Sequence, residues 1–322
     1  MVSQSESRRV AVTGCAGFIG SKTTEFLLEQ GRHVVGIDAL IDDLYPNSFK
    51  RERLARFDSH PNFTFVRANL ASGSFTKELA GVDTVLHFAA MAGLTKSWTH
   101  PEAYILNNVD ATRRLVDAVI HVQPSFFVHA STSSVYGGHA VGDETLPLNP
   151  ISLYGETKVE AEKIVGENLH THGIGYSVLR YFSVFGPRQR PDMAYSKFCQ
   201  ALLRDEVIHV TGDGSQRRSN TFIDDAAHAA LLATNARLDG EVFNIAGSES
   251  VTLLDAIDIL ADELGVTPRL EFVPSVMGDQ TETAGNASKA HRMLMWRPSV
   301  SAKEGLRRQA RSAREDYAGI DR

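Results

Sequence analysis

Six short runs of apolar, β-branched and aromatic residues recur along the first 185 positions of the chain: VAVT, HVVGI, FTFV, DTVLHFAA, SFFVHAS and YSVLRYF. Their nearly continuous apolar character is that of strands buried on both faces. The stretches between them, such as residues 103–122 and 152–169, are amphipathic at helical spacing. Strand alternating with helix implies a parallel sheet. After Phe185 the texture changes to the Pro- and Arg-rich GPRQRPDM, followed by short runs at IHVTGDG, EVFNIAG and LEFVP. The expected fold is α/β, a doubly wound parallel sheet with a smaller, discontinuous α/β lobe. Residues 1–185 form the sheet domain, with 222–248 returning to it through VFNIAG. Residues 186–221 and 249–322 form the lobe, capping the carboxyl ends of the strands, where ligands bind. The tail at 301–318 reads as one charged amphipathic helix with a solvated face.

The first strand runs into TGCAGFIG, with glycines at 14, 17 and 20, and a helix begins at Phe18-Ile19. Strand, glycine turn and helix together make a dinucleotide-binding unit of the Rossmann type. Gly14 permits the tight turn, Gly17 lets the backbone approach a pyrophosphate, and Gly20 allows close helix packing, with the phosphates on the helix N-terminus. The second strand, HVVGID, ends in Asp38, where a ribose-binding carboxylate belongs. Asp38 would accept from ribose hydroxyls and repel a 2′-phosphate, and Ala39 and Leu40 behind it offer no cation to hold one. NAD is therefore favoured over NADP.

Tyr154 and Lys158 stand four residues apart in YGETK, following Thr132 in STSSVYG. That spacing puts both side chains on one face of a helix. A free Tyr titrates near ~10, and a cation at roughly 4–6 Å lowers that by about 1 to 3, toward working pH. Thr132 can relay the proton. Such a set is a proton-transfer device that needs a hydride acceptor.

Composition narrows the class. At 322 residues, 43% apolar and 22% charged, the chain can bury one substantial core and a smaller second lobe. A formal charge of −6 without a basic run argues against nucleic acid as partner. Cys15 and Cys199 are the only cysteines, so a disulfide framework is not expected and the reducing cytoplasm is. No apolar run reaches ~18 residues, and MVSQSESRR lacks the apolar core of a signal peptide, so no membrane association is expected. The twelve histidines form no cluster with carboxylates that suggests a metal, and none is expected; His87 and His129, at the ends of apolar strands, read as packed.

With TGCAGFIG, Asp38, HFAA, STSSVYG, YGETK and GPRQRPDM in this order, the chain resembles the extended short-chain dehydrogenase/reductases that act on nucleotide-sugars, over nearly its full length. Within them it is most similar to UDP-glucuronic acid 4-epimerases, through TSSVYG, the hydroxyl Ser183 in YFSVFGPRQRPDMA, and Asn69-Leu70. The resemblance implies Thr132, Tyr154 and Lys158 as catalytic hydroxyl, base and lysine. It implies NAD contacts at Gly14, Gly17, Phe18, Ile19, Asp38, Asn69, Leu70, Phe88, Ala89, Ala90 and Asn108, together with Tyr154 and Lys158. On the substrate side it implies Ser133, Ser134, Ser183, Arg190, Arg218 and Asp279, the serines and Arg190 near a sugar carboxylate and Arg218 near the diphosphate. A homodimer through a four-helix interface built from 103–122 and 152–169 is implied as well.

The resemblance also separates chemistries. Related dehydratases carry an acid and a base, Asp then Glu, where this chain has Ser133 and Ser134, and related decarboxylases carry Glu where Ser134 stands. What remains is oxidation at C4 of a UDP-sugar, rotation of the 4-keto sugar and re-reduction on its other face, most fittingly UDP-glucuronic acid to UDP-galacturonic acid. The alternatives are a 4-epimerase for UDP-glucose/galactose or their N-acetyl forms and a non-catalytic NAD-binding protein, which the intact Thr, Tyr and Lys set disfavours. Ser219, Asn220, Thr95 and Asn286 depart from the family pattern on the substrate side, with Lys96 beside Thr95 as a substitute charge.

Overall fold

The computed structural model describes residues 8–42, 44–274 and 282–320. Seven parallel strands make the main sheet: β1 (Arg9–Thr13), β2 (His33–Asp38), β3 (Phe63–Arg67), β4 (Thr84–His87), β5 (Phe126–Thr132), β6 (Gly175–Tyr181) and β7 (Glu241–Ile245). Their order across the sheet is β7-β6-β5-β4-β1-β2-β3. The chain lays strands outward from β1, then crosses back to place β4 on its other side, so the direction of winding reverses between β1 and β4. Helices leave a crevice at that point, above the carboxyl ends of the strands. The 242–247 run returns to the sheet, with Val242 opposite Val178 and Ile245 opposite Tyr181.

Both faces of the sheet are covered, which is why the strands are apolar throughout. On one face Val10, Val12 and Leu86 pack against α1 (Phe18–Glu29) and the helix Ile223–Ala236. On the other, Ala11, Val85 and Phe127 pack against α2 (Ala111–Val122) and α3 (Leu153–Thr171) through Leu115, Val119, Ile164 and Val165. Each fully buried Val, Leu or Phe contributes about 1.5–3 kcal/mol relative to exposure.

The amphipathic stretch 103–122 is not one regular helix. Pro101–Tyr104 is α-helical, Ile105–Asp110 widens into a π-turn, and α2 follows. The wide turn lets Asn107 line the crevice while Asn108 bonds the Met91 backbone, an example of a π-bulge serving a site.

Beyond the main sheet, Val207–Thr211 pairs in parallel with Arg269–Val273. A second sheet of four strands has the order Ser250–Thr252, Arg217–Ser219, Glu282–Gly285, His139–Gly142. The last of these comes from the segment just after β5 and was not legible as a strand. The helix Leu253–Leu264 opens with a capping box, Thr252 accepting from Asp255 N at 3.0 Å while Asp255 accepts from Thr252 N. The terminal helix Ala302–Ile320 packs on it and on the helix Ala194–Leu203 through Leu306 and Ala310. Among the described residues no helix is long and apolar enough to cross a membrane.

Candidate active site

The glycine turn is built by backbone contacts that exclude side chains. Gly14 sits at φ +71° and donates its N–H to Ile37 O at 2.7 Å, and a Cβ there would lie 2.7 Å from Ala89 N. A Cβ on Gly20 would lie 2.1 Å from Gly14 O, so only glycine lets α1 approach the turn this closely. Gly17 caps α1 without a side-chain hydrogen bond to the first turn. The N-terminal N–H groups and the positive end of the helix dipole thus remain for an anion. At the end of β2 the Asp38 carboxylate accepts from Ala16 N at 3.1 Å and Leu40 N at 2.9 Å, which fixes its orientation beside the turn. A bare glycine cradle with a helix N-terminus and a neighbouring carboxylate fits a dinucleotide's diphosphate and ribose.

Two further elements supply the proton-transfer groups. β5 ends in Thr132, whose hydroxyl accepts from Ser134 N at 3.1 Å and so caps the short turn Ser133–Tyr136. Ser152 caps α3 by accepting from Gly155 N at 3.1 Å. A Cβ on Gly155 would stand 2.7 Å from Ser134 O, so this glycine inside YGETK brings α3 against the serine turn. As a result Tyr154 lies close enough to Thr132 for that hydroxyl to act on its phenol.

A cavity of about 410 Å³ opens at the switch point. It is lined by Gly14, Gly17, Phe18, Ile19, Asp38, Asn69, Leu70 and Phe88, with Ala89 and Ala90 continuing that wall. Thr132, Ser133, Ser134, Tyr154, Lys158, Ser183, Arg190 and Arg218 line it too. Of the expected site residues that are described, one is not part of this lining. Asn108 is buried and spends its amide on Met91 N at 2.7 Å, Met91 O at 2.9 Å and Thr157 Oγ1 at 3.0 Å, so it shapes the wall from behind rather than contacting a ligand. Asp279 lies outside the described residues.

Electrostatics corrects one expectation. Burial raises the Tyr154 phenol above its ordinary value of 10, although the Thr132 hydroxyl and the Arg190 charge pull the other way. Lys158 is not among the groups acting on it. Its ammonium donates instead to Ala130 O at 2.7 Å and to His129 Nε2 at 3.2 Å, and burial lowers it to about 8 against the opposing charge of Glu162. The spacing does put both residues on α3; acceptors on the adjacent strand β5, invisible in the local sequence, decide where the lysine points.

Arg190 reaches the cavity already paired, its Nε 3.0 Å from Asp192 Oδ1 and Nη2 2.6 Å from Oδ2, with Nη2 also donating to Ala92 O. Burial disfavours its charge, but the Asp192 bonds outweigh this and raise it above the ordinary arginine value. Lys96 donates to Leu44 O at 2.7 Å and does not line the cavity, so it is no substitute for an arginine at 95; Thr95 is absent from the lining too. Ser219 donates to Gly247 O, Asn220 accepts from Tyr195 and donates to Arg218 O, and Asn286 accepts from Ser288 N. These three departures brace segments around the cavity instead of lining it.

The sequence reading missed Tyr45, Lys50, Met91 and Asn107, all in the lining. Lys50 donates to Ile41 O at 2.8 Å and lies 5.2 Å over the Tyr45 ring, so a cation does stand in the cavity that holds Asp38, twelve positions further along the chain. The one signal for Asn107 was its adjacency to Asn108.

Comparison with known proteins places these features. Residues 10–246 match the family model described as the NAD dependent epimerase/dehydratase family. A UDP-glucuronate 4-epimerase of Thermodesulfobacterium geofontis is 34% identical over 311 residues, 95% of this chain and 96% of that one. An uncharacterized UDP-glucose epimerase of Bacillus subtilis is 37% identical over 302 residues, 92% of this chain and 95% of its own. Among solved structures, UDP-glucuronic acid 4-epimerase from Bacillus cereus in complex with UDP-glucuronic acid and NAD superposes with a TM-score of 0.92 at 35% identity, covering 96% of this chain and all of that one.

Proposed function

Because this chain belongs to the NAD dependent epimerase/dehydratase family, we propose that it is a nucleotide-sugar 4-epimerase interconverting UDP-glucuronic and UDP-galacturonic acid. The observation that carries this function is the set of groups around Tyr154: Thr132, Ser133, Ser134, Ser183 and Arg190 share its cavity. Among the described lining residues the one carboxylate is Asp38, three strand spacings or about 14 Å from β5. Among the described lining residues, no second acid or base therefore stands beside Tyr154 to expel water.

Bound NAD supplies a reversible acceptor for the hydride of sugar C4. Gly14, Gly17, Phe18 and Ile19 would hold its diphosphate, Asp38 a ribose, Asn69 and Leu70 the adenine side, Phe88, Ala89 and Ala90 the wall between, and Lys158 the second ribose. Tyr154 takes the proton of the 4-hydroxyl, directly or through Thr132, and gives it back once the sugar presents its opposite face. A phenol raised by burial is neutral at rest, so it becomes a base only as positive charge gathers against it, from Arg190, whose charge already favours the phenolate, and from Lys158, one turn along α3. Ser133, Ser134, Ser183 and Arg190 would hold the sugar carboxylate firmly enough to prevent loss of carbon dioxide, with Arg218 at the diphosphate.

A second reading, epimerisation of UDP-glucose or its N-acetyl form, is favoured by the Arg190–Asp192 pair, which already satisfies the guanidinium with a carboxylate of the protein. Incubation with each UDP-sugar followed by NMR of the products separates the two. Tyr154→Phe should abolish turnover while NAD still binds, and a variant keeping most of its rate refutes the assignment.

The chain would act as a homodimer in the cytoplasm. Ile105 and Leu106, exposed at 44% and 46%, lie at the start of the helical stretch expected to pair, with Trp98, exposed at 54%, on the short helix before it, and both cysteines are buried and unpaired, as suits a reducing compartment.

A further inference from the structure

We propose that His129 is a positioning residue for this reaction: it holds Lys158 in place behind the cavity by accepting a hydrogen bond at Nε2 from the ammonium. The inference rests on the role given to Lys158 above. His129 lies in β5, fully buried, opposite His87 of β4 and Val178 of β6. Two residues after Phe127, it faces the layer of α2 and α3 rather than the cavity.

An ammonium has donors only, so at 3.2 Å Nε2 must present its lone pair, and the ring is neutral with its proton on Nδ1. Nδ1 is buried and has no partner among the described residues. Stranding such an N–H costs about 1–3 kcal/mol, so its persistence calls for an offsetting contact, and the bond to Lys158 is the one polar contact the ring makes among the described residues. His87 is different. Thr112 gives its own proton to Asn108 O at 2.6 Å, so His87 Nε2 donates to Thr112 at 3.0 Å, while Nδ1 accepts from Thr13 at 2.7 Å. With both nitrogens occupied, His87 offers Lys158 nothing.

The Ala130 and His129 bonds use two of the three ammonium protons and leave the third for the cavity that Lys158 lines. The groups facing the pair are His87 from β4 and Glu162 from α3, with the uncharged Thr112 from α2 behind His87. Glu162 is itself tied to Arg180 of β6 at 2.7 Å. Lys158 and Glu162 are the charges; His129 stays neutral because burial and the adjacent ammonium both oppose its protonation. An acceptor on the charged lysine works against the burial that pulls it down to about 8.

The test compares full-length His129→Phe, which keeps a ring without an acceptor, with His129→Gln, which restores an acceptor oxygen. The readout is kcat/KM for epimerisation from pH 6 to 10. His129→Phe should move the alkaline limb, where Lys158 loses its charge, acidward by about one pH unit, and turnover at pH 8 should fall roughly fivefold. His129→Gln should return the limb toward its original position. An unmoved limb in His129→Phe overturns the inference, as does a limb that His129→Gln displaces equally. Independently of any variant, ¹⁵N shifts of the unmutated protein should report His129 neutral and protonated at Nδ1 at pH 7.5; a cationic ring, or one protonated at Nε2, overturns it too. Lys158→Met separates the levels: if that variant keeps its turnover, the function assigned to Lys158 falls, whereas a dead Lys158→Met beside an unmoved His129→Phe limb sinks only the role of His129.

Discussion

Acidification from pH 7.5 to 5.0 should weaken the fold, and the loss follows from two buried rings. His87 is fully buried, and desolvation, aided by the Lys158 charge, holds it down to about 3 against an ordinary 6.5. His129 is held well below 6.5 by the same causes. The folded state therefore refuses protons that the unfolded chain takes up as pH falls through 6.5, so stability is greatest above that value and declines below it. At pH 5, some 1.5 below the unfolded value, the refusal of a proton by His87 costs about 2 kcal/mol, and His129 adds to the loss in the same direction. That is a large share of the ~5–15 kcal/mol typical of a folded domain. Glu25 and Asp83 carry lowered values, against burial, through bonds to Arg56, Arg188, Ser125 and Arg237, so their stabilisation is lost only as pH falls below the usual carboxylate range. Lys158 changes little here, because below about 8 it is protonated in both states. Urea denaturation at the two pH values, followed by fluorescence of the buried Trp296, measures the difference. A loss under about 1 kcal/mol, or a His129→Phe variant with an undiminished acid slope, would refute the reasoning.

Three other outcomes are expected. Asn108→Ala strips three buried bonds and strands both polar atoms of Met91, so it should destabilise by about 2–4 kcal/mol in the same denaturation assay. Gly20→Ala places a methyl 2.1 Å from Gly14 O and should cost about 1–3 kcal/mol through forced opening of the turn, with weakened NAD binding by calorimetry. Arg190→Met should lower kcat/KM for UDP-glucuronic acid by roughly 10- to 100-fold while leaving UDP-glucose nearly unchanged, as expected for loss of a charge-assisted bond to the carboxylate; equal effects on both sugars would argue for the neutral substrate.

The strands, the glycine turn and Asp38 were legible because each is a local matter: a run of apolar residues, a backbone position without room for Cβ, a carboxylate at a strand end. Tyr154 and Lys158 were legible as a pair for the same reason. The direction of the lysine was not, since it depends on His129, twenty-nine positions earlier and brought near by sheet pairing. Asn108 looked like a ligand residue because polar residues near a site are ambiguous until their partners are known, and its partner is a main-chain segment seventeen positions away. Lys50 and Tyr45 enter the cavity through an irregular loop and the short helix Ser48–Leu54, whose path no periodicity records.

The strand His139–Gly142 leaves the main body and zips in parallel onto Glu282–Gly285, with Ala140 opposite Thr283. The segment after β5 is thus joined to the carboxyl-terminal part of the chain by hydrogen-bonded backbone, not by a simple tether. Anyone exchanging sugar specificity with a relative by transplanting the carboxyl-terminal portion would have to carry residues 139–142 along with it. A graft that left them behind would expose an unmated ribbon edge, and such edges recruit neighbouring molecules into aggregates.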